Sequence, residues 1–114
     1  MATRVKAILI ALMMIFSLGL LTYSASPAMA GGPIVYNQRG SYVPMYYAPT
    51  PYNNNVKNWM PNSTRFNMRC FEDFQWFNGN YGSYRWYYGQ AFNTGQWGYI
   101  HSSYVYYQWS VPRC

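Results

Sequence analysis

Acidic and histidine side chains are almost missing from this chain of 114 residues. It holds two acids, one histidine and two cysteines, and only 9% of its residues are charged, whereas about a quarter is usual in a globular protein. Hydrolytic sites, phosphoryl-transfer sites and multi-ligand metal centres are built from these side chains. The composition therefore favours a binding or structural module over an enzyme, and we expect neither a metal nor a cofactor.

Leucine, a leading helix former, is absent beyond Leu21. The chain is instead 22% aromatic, with 14 tyrosines, and aromatic and β-branched residues favour pleated strands. Nine glycines and seven prolines divide the sequence into short segments. We predict a small all-β domain at residues 42–114, preceded by a flexible segment at residues 31–41.

The first thirty residues have the pattern of a secretory signal. Arg4 and Lys6 precede an apolar run, and the small residues of Ala28–Ala30 form the site that a signal peptidase recognises. We predict cleavage after Ala30, secretion to the medium or the cell wall, and no membrane attachment after cleavage. The alternative is a retained membrane anchor, although the run is short for a span of ~20 residues.

Removal of this signal lowers the net charge from +6 to +4, because Arg4 and Lys6 leave with it. The remaining cations are scattered along the sequence, whereas nucleic-acid binding needs a concentrated basic stripe. We therefore expect no nucleic-acid partner. A weakly basic exported chain is suited to an anionic cell-envelope surface.

Cys70 and Cys114 are the only cysteines. In an exported chain an even number of cysteines indicates disulfide bonding, and here a single pairing is possible. The alternative is a nucleophile pair of Cys70 with His101, which the spacing does not exclude. We predict the disulfide, which closes a large ring in a chain too small for an extensive core.

Strands and turns are most clearly marked from Arg65 onwards. Phe66, Met68 and Cys70 alternate with polar residues, which is typical of a half-buried antiparallel strand. The Asn- and Gly-rich segments 78–83 and 93–96 are strong turn signals. The remaining predicted elements are an edge strand at 42–47, a short strand at 56–60, a strand at 84–92, a serine-capped helical turn at 101–105 and a final strand at 106–111.

Three segments of the C-terminal half form a recognisable pattern: Trp86–Tyr88, Gly95–Val105 and Ser110–Cys114, with weaker counterparts at Val43–Pro49 and Pro61–Thr64. The first is a strand motif, and the second is a turn ending in Gly-Gln-Trp followed by a Gly-Tyr-Ile-His-Ser-Ser-Tyr-Val run. These segments resemble bacterial SH3-like (SH3b) domains, and the ending with its paired cysteine is similar to small secreted SH3-like proteins of actinobacteria. The chain departs from the family pattern at Tyr99, where the family has Trp, and by an insertion at 71–84. The resemblance implies a barrel of five to six short strands.

Exposed aromatic rings are the best candidates for ligand contact, because Trp and Tyr join a flat apolar face to a hydrogen-bonding tip. The alternative is that they fill the core, since no leucine is present there to do so. We expect Trp86 and Tyr99 in the core and Tyr47, Trp97 and Tyr104 at the surface. The candidate ligand-binding residues are Tyr46, Tyr47, Trp86, Trp97, Tyr99 and Tyr104, with Tyr88 beside them.

His101 can serve as a metal ligand or general base, and Glu72 with Asp73 as an acid and base pair. Neighbouring strand residues point to opposite faces, however, so we expect the two acids in a solvated loop and His101 in a hydrogen-bonded turn.

These features and the resemblance together predict a secreted, non-catalytic binding module. Its expected ligand is peptidoglycan, through its peptide or its glycan, or another cell-envelope component. The alternative is a secreted effector, toxin or other module that binds a protein partner.

Overall fold

The computed structural model describes residues 31–114; the predicted signal and its cleavage site at Ala30 lie outside the described residues. The predicted all-β fold is confirmed, and the described part contains only two single-turn 3₁₀ helices, Asn53–Asn55 and Ser102–Tyr104. The strands are β1 (Ile34–Val35), β2 (Tyr42–Tyr46), β3 (Val56–Pro61), β4 (Phe66–Asn78), β5 (Gly82–Ala91), β6 (Trp97–His101) and β7 (Val105–Tyr106).

Five strands form one antiparallel sheet in the order β3-β2-β6-β5-β4, and β1 pairs with β7 in a separate two-stranded ladder. The expectation of an edge strand at residues 42–47 is wrong, because β2 lies between β3 and β6. Pro44 lacks a backbone N–H, and β2 contacts β6 through the single pair Tyr46–Tyr99. An internal strand can therefore contain Pro44, because β2 and β6 are paired at one position only.

Both predicted turns join antiparallel strands. Residues 79–81 connect β4 to β5, and residues 92–96 connect β5 to β6, with Gly95 at a φ of 78°. The segment after Phe71 continues β4 to Asn78, and its register shifts at two points, between Met68 and Cys70 and between Asp73 and Phe77. Bulges of this kind bend and twist a strand, so β4 does not follow a single alternation of faces.

The main core lies against one face of the five-stranded sheet. Aliphatic and sulfur-containing side chains fill it together with aromatic rings, and it includes Val35, although the sequence predicted a flexible segment at residues 31–41. Its buried members are Val35, Val43, Met45, Met60, Phe66, Met68, Tyr87, Ala91, Ile100, Tyr104 and Val105.

The opposite face of the sheet is buried at one end only. There Trp86 and His101 are fully buried, and Phe77 packs on both rings at centroid distances of 6.2 and 5.2 Å. The Trp86 indole N–H donates to the carbonyl oxygen of Gln75 at 2.8 Å. The β4–β5 hairpin therefore covers this end, and the other end of the same face remains accessible.

The chain end is tied to β4. The predicted Cys70–Cys114 disulfide is present, and the Phe71 N–H donates to the carbonyl oxygen of Pro112 at 2.9 Å. The strand predicted at 106–111 is wrong, since β7 ends at Tyr106. Tyr107 has a φ of 59°, which is incompatible with continued strand geometry.

Candidate functional site

Three of the predicted aromatic residues are unavailable to a ligand. Trp86, Tyr46 and Tyr104 are 0%, 3% and 6% exposed. Tyr104 was expected at the surface, and this expectation is wrong because the β4–β5 turn packs on it: a Cβ on Gly79 would lie 3.0 Å from Tyr104 Cζ. Burial raises the pKa of Tyr46 to about 12, with a smaller contribution from Tyr104. These three rings are therefore part of the protein interior.

His101 is a structural residue of the turn. Its Nε2 lies 2.9 Å from the carbonyl oxygen of Ser83, which can only accept, so Nε2 carries the proton. Its Nδ1 accepts from the Ser103 hydroxyl at 2.8 Å and caps the 3₁₀ helix Ser102–Tyr104. The sequence predicted a serine cap, and the structure places the histidine ring there instead. Burial lowers the pKa of His101, opposed in part by the Ser83 carbonyl.

The remaining candidates meet at the accessible end of the second sheet face. The rings of Tyr88 and Trp97 stack at a centroid distance of 5.8 Å and an interplanar angle of 26°. Tyr99, expected in the core, is only partly buried and lies 5.0 Å from Tyr88. Cross-strand pairing of β5 with β6 produces this arrangement, because Tyr88 is opposite Tyr99 and directly opposed residues share a face.

Two cations flank this aromatic group. The Arg69 guanidinium lies 4.8 Å from the centre of the Trp97 ring. Lys57 Nζ lies 4.8 Å above the ring of Tyr47 and donates to the carbonyl oxygen of Trp97 at 2.6 Å. Lys57 therefore connects Tyr47, which is 63% exposed, to the backbone of Trp97. We name this set the Trp97 surface; its members are Tyr47, Lys57, Arg69, Tyr88, Trp97 and Tyr99.

A single acid borders the surface. Burial raises the pKa of the Tyr99 hydroxyl, and the neighbouring Glu72 raises it further, so Tyr99 stays a hydrogen-bond donor. The predicted solvated loop at Glu72 and Asp73 is wrong, because both lie within β4. Adjacent strand residues are expected to point to opposite faces, and the two acids do have different neighbours. Glu72 lies beside Tyr99, whereas Asp73 pairs with Arg85 at 2.9 Å.

Arg69 lies over the Trp97 ring and Lys57 over the Tyr47 ring, and such a combination of aromatic and cationic groups is suited to binding. Such a surface can stack on the apolar face of a sugar or a peptide group, and its hydroxyl and cationic groups can bind oxygen atoms. Among residues 31–114, no group of three or more His, Cys, Asp and Glu side chains is placed to hold a metal ion. The same residues contain no helix that is both long and apolar enough to span a membrane.

Sequence reasoning missed Lys57 and Arg69 as members of the surface. Both belong to strands other than that of Trp97, and only the cross-strand arrangement brings them together. Arg69 has a signal in the sequence, because it occupies a polar site in an alternating segment, which predicts exposure but not the neighbour across the sheet. Lys57 has no such signal, since the segment Val56–Met60 around it does not alternate.

Comparisons with protein-family models, with curated proteins and with solved structures found no match for this chain.

Proposed function

We propose that this protein is a secreted, non-catalytic binding module of the SH3-like type that recognises cell-wall material, peptidoglycan peptide or glycan, through the Trp97 surface. The observation that carries the proposal is the stacked Tyr88–Trp97 pair, left partly exposed and flanked by Arg69 and Lys57. Monomeric proteins seldom leave grouped aromatic rings in contact with water unless they meet a partner.

The charge of the surface agrees with such a partner. Lys57 and Arg69 give it two positive charges against the single acid Glu72 at its border. Cell walls are polyanionic, so a weak positive field favours approach, while the rings supply the short-range contact. We expect binding to weaken only moderately with added salt, since few cations contribute.

The SH3-like part of the proposal is supported by connectivity. Ile34–Val35 at the start of the domain pairs with Val105–Tyr106 directly after the 3₁₀ turn Ser102–Tyr104. Small barrels of this type close in that way, with the first strand beside the last.

Sedimentation with insoluble cell wall tests the function. We expect the protein to pellet with the wall at low salt, and Trp97→Ala to weaken binding tenfold or more, which corresponds to about 1.4 kcal/mol. Trp76→Ala is the matched control, because Trp76 is also exposed and also contacts a tyrosine, Tyr84, at 4.8 Å. Protein that stays in the supernatant at low salt, or equal binding by both variants, would overturn the proposal.

A protein partner is the second candidate. The β4–β5 hairpin carries further exposed rings, Phe74 and Trp76, and exposed aromatic residues are typical of protein interfaces. Affinity capture from culture supernatant distinguishes the two: a specific protein lost on Trp76→Ala and retained on Trp97→Ala favours this candidate, and recovery on wall alone argues against it.

A further inference from the structure

Two adjoining clefts lie on the opposite face of β5 from the Trp97 surface. Their volumes are about 360 and 380 Å³, within the range of ligand sites in proteins. Arg85, Tyr87 and Gln108 line both clefts, so the two form one continuous depression, which we name the Tyr87 groove. Tyr87 and Tyr88 are adjacent in a strand and point to opposite faces, which separates the groove from the Trp97 surface.

Hydrogen bonds fix the floor of the groove. The Tyr87 hydroxyl donates to Gln108 Oε1 at 2.8 Å, and Gln108 Nε2 donates to the carbonyl oxygens of Ser102 and Val105 at 3.1 and 3.0 Å. These carbonyls can only accept, so the orientation of the Gln108 amide is determined. Burial raises the pKa of Tyr87, which keeps its hydroxyl protonated. The floor is therefore preorganised.

The charges that line the groove cancel. Its charged lining residues are Asp73 and Arg85, joined by two hydrogen bonds of 2.9 and 3.2 Å. The hydrogen bond from Arg85 is the main reason that the pKa of Asp73 lies below its usual value. Arg113, which is not part of the lining, pairs with the same carboxylate at 3.8 Å, so Asp73 is the shared partner of two arginines. The lining offers donors from Arg85 and acceptors from Asp73 side by side.

Exposed aromatic residues line both ends of the groove. Tyr81 lines one end and is 55% exposed, and Trp109 lines the other and is 47% exposed. Arg85 and Arg113 lie over the ring of Phe71 at 3.9 and 4.8 Å. Tyr81 and Trp109 therefore lie on either side of the polar centre.

We propose that the Tyr87 groove binds an uncharged saccharide. The Asp73 carboxylate and the remaining lone pair of Gln108 Oε1 accept hydrogen bonds, the Arg85 guanidinium donates them, and a sugar ring presents both donors and acceptors to these groups. The C–H faces of sugar rings pack on aromatic side chains. A charged peptide terminus or a phosphate fits less well, because Asp73 already holds Arg85 and Arg113 in ion pairs. This site is independent of the Trp97 surface, and two sites on opposite faces would give avidity on a polymer.

Amide chemical-shift titration tests the proposal. The probes are the N-acetylglucosamine tetramer and maltotetraose as neutral saccharides, with inorganic phosphate and glycylglycine as charged comparators. We expect saturable shifts at Ser83, Arg85, Tyr87 and Gln108 with at least one saccharide, with a Kd of about 1 mM, which corresponds to about 4 kcal/mol. Absence of saturable shifts at these amides with both saccharides, tighter binding of phosphate or glycylglycine, or shifts centred on Tyr88 and Trp97 would overturn it.

Variants separate the groove from the proposed wall-binding surface. Tyr81→Ala and Gln108→Ala should each weaken saccharide binding at the groove fivefold or more, while Tyr52→Ala, at an exposed tyrosine that lines neither cleft, should leave it unchanged. Asp73→Asn removes the partner of Arg85 and Arg113 and should add phosphate binding that the parent protein lacks. Retention of full saccharide affinity by both Tyr81→Ala and Gln108→Ala would refute the assignment. The Tyr81 side chain is largely exposed, so its replacement should not disturb folding. If both sites exist, Trp97→Ala reduces wall sedimentation while the saccharide-dependent shifts at Ser83, Arg85, Tyr87 and Gln108 persist.

Discussion

Removal of the disulfide should cost this protein about half of its stability. Cys70 and Cys114 are 44 residues apart, and the loop-closure entropy of a ring of that length in the unfolded chain amounts to about 4 kcal/mol. Single cores in domains of this size supply about 3–5 kcal/mol, to which the disulfide adds. The Cys70→Ser/Cys114→Ser double variant should therefore stay folded at 25 °C without denaturant and lose about 4 kcal/mol of unfolding free energy.

Urea unfolding followed by tryptophan fluorescence measures the effect. The wild type under reducing conditions should unfold at the same urea concentration as the double variant, which serves as the control for the serine substitutions. The hydrogen bond from the Cys114 N–H to the carbonyl oxygen of Phe71, at 2.8 Å, remains possible in both. A loss of unfolding free energy below about 1 kcal/mol would refute the chain-entropy argument, since the unfolded chain would then be no less restricted without the bond.

Two further predictions concern the turn that closes over His101. Gly79→Ala should lower the unfolding free energy by about 1–3 kcal/mol, because the new Cβ would collide with the Ser103 hydroxyl. Gly40→Ala should lower it less, because its Cβ would contact only the Asn37 side chain, at 3.1 Å. Equal urea midpoints for the two variants would contradict this. Burial lowers the pKa of His101, so below pH ~6.5 the unfolded chain binds a proton that the folded chain does not, and the unfolding free energy should fall between pH 7 and 5. His101→Gln should remove this dependence, and a urea midpoint that stays constant for the wild type over that range would show the reasoning to be mistaken.

The β4–β5 turn shows how local and tertiary information combine. Asparagine and glycine at 78–82 predict a turn, and the turn is present. Its second role was not predictable: the Asn80 N–H donates to the Ser103 hydroxyl and the Asn80 amide to the Ser103 carbonyl, each at 3.0 Å. These contacts span more than twenty residues and depend on how the hairpin folds over the sheet. They are also the reason that Tyr104 is buried.

Burial of the candidate binding residues likewise depends on tertiary contacts. Sequence reasoning selected aromatic residues as candidates, but the sequence pattern of an aromatic residue is the same whether its ring is buried or exposed. Trp86 and Tyr88 are two residues apart on one face of β5, yet Trp86 is fully buried and Tyr88 only partly so. The difference arises because the hairpin covers one end of that face, and no property of the strand itself encodes it.

The all-β fold, the two predicted turns and the single disulfide can be predicted from the sequence, because they follow from composition, local turn chemistry and the number of cysteines. The exposure of each ring, the internal position of β2 and the cations beside Trp97 depend on the tertiary structure. The β4–β5 hairpin folds over His101 and buries Trp86, the order of the strands places β2 inside the sheet, and Lys57 and Arg69 reach Trp97 from two other strands. These arrangements depend on contacts between distant residues, whose energies a local pattern does not contain.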